Sequence, residues 1–444
     1  MAALSESSSL DYISLHPFVR STVLDKVRGT IFGSALGDAV GLYTEFLNKQ
    51  QALESYSEQR ISLAHPVTPF KGDRHRDKFV EGSWTDDTDH ALLVLLSYLH
   101  HDGQLVPHDF ALRLRSWCEQ GLRCLDRLPL GLGRTVGTVI NHQLYRDAPV
   151  QAAKKLWVAS DRTNAANGSL MRTHPLGVIC VGNTRTMTYQ TAMDYSLVTH
   201  TDPRCVVSCC ISTALTRGIL RGEVTTESGV EEIIEDAYAW VSSHPKAAET
   251  WDSSELQPLL DRGEFERHAY ASSLDELQLD DSRTMGYVYK ALGAALVTLR
   301  KAIHMPTTKP DAFGGLIEEL VMQGGDADTN ACIAGALLGC WTGFNSLTSQ
   351  WRDGLAHSEW LLEKVDGLCQ TVGIVPGEYK GSLDPHTAFD GGRGLLGEDE
   401  LRAREKQLME KILLNMKARD DERKGNEKRN AGSGRKGWDK LFKR

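Results

Sequence analysis

GSWTDDTDHALLVLLSYL, residues 82–99, sets two adjacent acids and, after one intervening Thr, a third directly before an apolar run. Ala91, Leu95 and Tyr98 recur at helical spacing, which makes the run a buried helix with Thr85 as its N-cap. Acids in a first turn are favoured by the free N–H groups and by the positive end of the helix dipole. Taken alone, that accounts for Asp86 or Asp87. The cluster does not stand alone.

A second helix start of the same kind lies at residues 323–343, QGGDADTNACIAGALLGCWTG, where Asp326, Asp328 and Thr329 again precede a run of small residues. If the two starts face each other across a cleft, four carboxylates at close range repel strongly and call for positive charge between them. Hard divalent ions such as Mg²⁺ or Mn²⁺ take carboxylate, hydroxyl and water oxygens, so paired carboxylates predict paired metals. Gly324-Gly325 permits a sharp entry into the second start, and Ala331, Gly335 and Gly339 let its helix approach a neighbour closely. The ligand spacing and terminal Glu of an EF-hand loop are absent.

The same spacing places Val288, Leu292, Ala295 and Leu299 on one stripe of MGYVYKALGAALVTLRKAI (285–303), while strand-like alternation is sparse. The expected fold class is therefore all-α, a domain of many packed helices. The chain has 444 residues, 41% hydrophobic and 25% charged, which suffices for one large domain or two smaller ones. A Ser-rich flexible N-terminus is expected over 1–20, a helical body over 21–397, and a charged helix with a basic disordered tail over 398–444. Within the body, 242–283 mixes turn formers, acids and isolated aromatics, as a surface insertion or a substrate-side flap would. Asn330 to Trp351 is long and uncharged, but its polar and small residues suit a tightly packed helix better than a membrane span.

Net charge is −9, and the segment 401–444 is basic, so the body is more acidic than the total indicates. That argues against a specific nucleic-acid surface. The nine cysteines form no CxxC pair, which suggests neither a zinc site nor a disulfide framework. Cys205 and Cys209 read as core thiols, and His174 receives no role. The first twenty residues lack a basic region followed by an apolar core, so no secretory leader is expected. The expected location is cytoplasmic or, through the basic tail, nuclear.

Seven ordered segments resemble the ADP-ribosylglycohydrolases, including dinitrogenase-reductase-activating glycohydrolases and ADP-ribosyl-acceptor hydrolases. They are VRGTIFGSALGDAVGLYTEF, GSWTDDTDHALL, LGLGRTVGTVI, NAANGSLMRTHPLG, SLVTHTDP, GYVYKALGAAL and GGDADTNACIAGALLG. The resemblance implies an all-helical fold around a binuclear Mg²⁺ or Mn²⁺ cleft. Its metal ligands would be Thr85, Asp86, Asp87, Asp326, Asp328 and Thr329, with Glu45, Asp87 and Asp328 as the catalytic carboxylates and Glu45 at the mouth. Asn167, Gly168, Ser169 and Met171 would form the turn that wraps the ADP-ribose phosphates, with His200 near the nucleotide. Ala166 stands where many members have Gly.

The implied activity is hydrolysis at the anomeric carbon of the distal ribose, releasing ADP-ribose from a modified side chain. The alternatives are hydrolysis of a free ADP-ribose derivative such as a phosphate ester, and ADP-ribose binding without catalysis. The expected partner is ADP-ribose or an ADP-ribosylated protein, with neither nucleic acid nor membrane, and the expected state is a monomer.

Overall fold

In the computed structural model, residues 9–14, 16–56, 60–243, 251, 256, 258–306, 309 and 311–441 are described, the side chains of 420 and 422–441 excepted. Five helices form the site or pack beside it, α1 (Pro17–Gly41), α2 (Asp86–His100), α3 (Pro203–Arg221), α4 (Val288–His304) and α5 (Ala327–Thr342). Among the described residues there is no strand, only isolated bridges at Leu122–Arg127 and Ala166–Tyr287. The fold is all-α, as expected.

The chain divides into two units. One comprises Met1–Thr68 and Gly82–Leu395 and holds all five helices. The other joins Pro69–Glu81 to Leu396–Arg444, which includes the helix Glu398–Leu441. Inside this second unit Arg419 grips the Asp77 carboxylate with both terminal nitrogens, and Lys411 Nζ donates to the Phe79 carbonyl at 3.2 Å. Residues 1–8 of the expected N-terminal segment lie outside the described residues, and α1 begins at Pro17 within its remainder. Of 242–283, residues 244–250, 252–255 and 257 lie outside as well. The rest buries Trp251, Phe265, Leu274 and Leu277, and Trp251 Nε1 donates to the Thr201 carbonyl at 2.8 Å.

The packing of α1 on α5 sets the centre of the first unit. Gly29, Gly33, Gly37 and Gly41 recur every fourth residue and form a bare stripe down one face of α1. A Cβ on Gly29 would lie 2.2 Å from the Gly339 carbonyl oxygen, one on Gly33 2.2 Å from that of Gly335, and one on Gly37 1.9 Å from that of Ala331. At the end of the stripe, a Cβ on Gly41 would lie 2.4 Å from Asp328 Cα. The helices run antiparallel with backbone against backbone, which is the close approach expected from Ala331, Gly335 and Gly339. As a result the C-terminal turn of α1, with Asp38, meets the N-terminal turn of α5, with Asp328. No described helix is long and apolar enough to cross a membrane, and α5 itself is buried through Cys340.

α2 enters the same junction. Thr85 caps it in extended backbone, its hydroxyl accepting the Asp87 N–H, and Asp86 through Leu99 are all buried. The third acid of the cluster, Asp89, is turned away from the junction. Its carboxylate accepts the indole N–H of Trp84 at 2.7 Å and that of Trp117 at 3.0 Å.

Candidate metal centre

The residue that joins α1 to α2 is Asp38, which the sequence reading did not single out. Its carboxylate accepts the Thr85 N–H (2.8 Å), the Thr88 N–H (3.0 Å) and the Thr88 hydroxyl (2.6 Å), so it supplies acceptors for free donors at the start of α2. The available signal was an acid inside the glycine stripe, on a helix turn otherwise made of Gly, Ala, Val and Leu. A fully buried carboxylate in such a setting needs partners.

Two groups of three carboxylates result. Asp38, Asp87 and Asp328 each offer one oxygen within 4.8 Å of the others, and so do Glu45, Asp326 and Asp328. Asp328 belongs to both. Thr85 Oγ1 donates to Asp87 Oδ2 at 3.1 Å and lies 3.4 Å from Asp328 Oδ2, so the cap residue touches both helix starts. The Thr329 N–H donates to Asp328 Oδ1 at 2.9 Å, and its hydroxyl favours the ionised forms of Asp87 and Asp326.

Asp86 lies outside both groups but beside them. Its Oδ1 would be 2.2 Å from a Cβ on Gly131, a residue at φ +98° that also requires glycine. The LGLGRTVGTVI segment thus makes room for Asp86.

Glu45 is held by a backbone clasp. The Phe46 N–H donates to the Gly325 carbonyl at 2.7 Å, and the Gly325 N–H donates to the Leu47 carbonyl at 2.8 Å. Gly324 and Gly325 are both at φ +72°, and a Cβ on Gly324 would meet the Leu47 carbonyl oxygen at 2.2 Å. The double glycine is therefore what lets the Asp326 loop lie against the Glu45 turn.

Burial is the largest influence on all five aspartates and disfavours their charge. It raises Asp38 and Asp326 to about 6, and it raises Asp86, Asp87 and Asp328 well above the usual carboxylate range, with neighbouring acids pushing the same way. Among the described residues, no Lys, Arg or His forms an ion pair with any of these five. Asp87 Oδ1 is buried with no hydrogen-bond partner. An all-oxygen donor set of carboxylates and hydroxyls, with an orphaned buried oxygen and no protein cation, fits hard divalent ions. The site could hold a metal ion.

The expected phosphate turn lies against the second group. Asn167–Arg172 forms a short 3₁₀ helix, and Asn167 Nδ2 donates to Asp326 Oδ2 at 2.7 Å. The segment leading into α4 pins this turn: the Asn167 N–H donates to the Gly286 carbonyl (3.1 Å) and the Val288 N–H to the Ala165 carbonyl (3.0 Å). Ala166 is extended at φ −78°, ψ 157°, a conformation that needs no glycine. Gly168 is half-buried, and a Cβ there would lie 3.2 Å from His200 Nε2. Ser169 and Met171 are buried beneath the turn, the Ser169 hydroxyl accepting from Ser196 at 3.1 Å. The structure thus gathers Glu45, Thr85, Asp86, Asp87, Asp326, Asp328 and Thr329 at one junction, with Asn167 bonded to it and Gly168 and His200 adjacent to each other.

Comparisons with known proteins agree with this architecture. The family model for ADP-ribosylglycohydrolase matches residues 19–376. The ADP-ribosylarginine hydrolase Tri1 of Serratia proteamaculans (strain 568) is 23% identical over 363 residues, 80% of this chain and 82% of its own. The ADP-ribosyl-[dinitrogen reductase] glycohydrolase of Rhodospirillum rubrum is 22% identical over 355 residues, 80% of this chain and 98% of its own. A solved structure described as an ADP-ribosylglycohydrolase-related protein complex superposes with a TM-score of 0.51 at 22% identity, covering 79% of this chain and 99% of that one, and so shares the fold. With its family model spanning both acidic helix starts and the turn between them, the chain belongs to the ADP-ribosylglycohydrolase family.

Proposed function

We propose that the protein hydrolyses the bond at the anomeric carbon of the distal ribose in ADP-ribosyl conjugates, releasing ADP-ribose, and that it does so with two Mg²⁺ or Mn²⁺ ions. The observation that carries this reading is that two groups of three carboxylates, which share Asp328, each could hold a divalent cation. Asp38, Thr85, Asp87 and Asp328 would hold one ion, and Glu45, Asp326, Asp328 and Thr329 the other, with Asp86 adding negative charge beside them. When bound, the ions would supply electrophilic polarisation of the ribose oxygens and of the attacking water.

The remaining steps fall to the chain. The Asn167–Arg172 turn offers backbone N–H groups to the diphosphate, and the Asn167 side chain ties that turn to Asp326, fixing the distance between phosphate and ribose. Loss of the leaving group builds positive charge on the sugar, which the surrounding carboxylates stabilise. Glu45 or Asp328 accepts the proton from water. Two relatives are named for ADP-ribosylarginine, which favours a protein arginine as the leaving group over a free metabolite.

Release of ADP-ribose from arginine-, serine- and acetyl-linked conjugates, assayed with and without Mg²⁺ and Mn²⁺, tests the proposal. Turnover should require the ion and fall by at least about a hundredfold in Asp328→Ala, as for loss of a group acting on transition-state charge. Metal-independent turnover, or binding of ADP-ribose with no product from any conjugate, would reject it.

A further inference from the structure

Arg172 is a buried guanidinium, 1% exposed, and among the described residues no carboxylate pairs with it. Its bonds run elsewhere. Nη2 donates to the Thr199 hydroxyl at 2.7 Å and to the Tyr195 carbonyl at 3.1 Å, Nη1 reaches the Gly168 carbonyl at 3.3 Å, and the cation sits 4.9 Å over the Phe110 ring. Thr199 Oγ1 lies 2.7 Å from His200 Nδ1, while His200 Nε2 is buried with no partner.

The hydrogen bonds assign the protons. Arg172 has only donors, so it occupies a lone pair of the Thr199 oxygen. The Thr199 oxygen keeps a second lone pair, so either His200 tautomer can bond to it, but only a ring with its hydrogen on Nε2 also accepts the Thr199 hydroxyl hydrogen at Nδ1. Nε2 and the neighbouring Cε1 both lie 3.2 Å from where a Gly168 Cβ would stand, so this edge of the imidazole faces the phosphate turn at Gly168. Burial, reinforced by the Arg172 charge, pushes His200 down to about 3, which keeps the ring neutral.

We infer that Arg172, acting through Thr199, is a positioning residue that fixes His200 as a neutral Nε2–H donor aimed at an anionic group on the Asn167–Arg172 turn. The inference rests on the proposed ADP-ribose site for the identity of the anion, but the relay itself is a property of the unliganded protein. It also gives the uncompensated Arg172 charge a use, since a cation beneath the turn favours negative charge above it.

The test is the tautomer of His200 in metal-free full-length protein with ¹⁵N-labelled histidine, read from two-bond ¹H–¹⁵N correlations and assigned by difference from His200→Gln. The Nε2–H form is expected in the wild type and in Thr199→Ser. In Thr199→Val, which keeps the shape and removes the hydroxyl, the ring should lose its single tautomer, and affinity for ADP-ribose should fall about tenfold, as for one hydrogen bond to a charged group. Melting temperatures of the two Thr199 variants separate misfolding from loss of the relay. An Nδ1–H ring in the wild type, a tautomer unmoved by Thr199→Val, or a shifted tautomer with unchanged affinity would each overturn the inference. A wild type that shows the expected tautomer yet binds no ADP-ribose would instead reject the proposed function.

Discussion

Gly37 meets Ala331 so closely that a Cβ on Gly37 would stand 1.9 Å from the Ala331 carbonyl oxygen. That contact lies one residue before Asp38 and three after Asp328, so the glycine stripe determines how far apart the two carboxylates sit. In Gly37→Ala the helices must separate, because backbone cannot rotate away as a side chain would. A loss of ~3 kcal/mol or more is expected, at or above the top of the usual overpacking range, together with weaker Mn²⁺ binding. Gly315→Ala, where a Cβ would meet nothing within 4 Å, is the control and should gain about 0.5–1 kcal/mol as a helical Gly→Ala change. Urea unfolding and Mn²⁺ titration of both variants check this.

Asp38, on α1, and Asp89, in the first turn of α2, are both buried acids, and they should separate cleanly. Asp38→Asn places an amide against the donors of Thr85 and Thr88 and removes a charge from the first carboxylate group. Divalent affinity should drop by at least about tenfold. Asp89→Asn leaves an amide N–H₂ facing the indole N–H of Trp84 or Trp117, at a cost of about 1–3 kcal/mol, while divalent affinity stays within about twofold. Calorimetric titration with Mn²⁺ and denaturant melts distinguish the two. Equal effects on metal binding would show that Asp89 had been wrongly separated from the site.

Without a divalent ion, stability should fall as pH rises. Burial raises Asp38 and Asp326 to about 6 in the folded protein, against an ordinary value of 3.8, and raises Asp86, Asp87 and Asp328 well above that ordinary value. Above pH ~4 the folded chain therefore holds more protons at these sites than the unfolded one, and stability decreases with pH over that window. Bound cations remove the cost of ionisation, so the stabilisation gained on adding Mg²⁺ should grow from pH 5 to pH 8. Thermal melts in EDTA and in excess Mg²⁺ across that range measure both trends. A Mg²⁺ increment that is flat or shrinks with pH would contradict the site's assignment.

Much of this was legible in the chain because the two acidic helix starts are local signals: a capping Thr, adjacent acids and an apolar or small-residue run fall within a few positions of each other. Asp38 was not legible from that pattern. It sits in the last turn of a helix, where no cap rule draws attention to an acid, and its partners Thr85 and Thr88 come from a distant part of the sequence. The separate role of Asp89 was hidden for the same reason, since only the fold brings Trp117 beside it. The use of Gly131 to accommodate Asp86, and of Arg172 to orient Thr199, likewise depends on contacts between segments rather than on spacing within one.

The central claim is that one carboxylate serves two ions. Crystals soaked in Mn²⁺ and measured at the manganese absorption edge test it most directly. Two anomalous peaks per chain are expected, with Asp328 contacting both, Asp38 and Asp87 on one side and Glu45 and Asp326 on the other. A single peak, or two peaks of which Asp328 touches only one or neither, would contradict it.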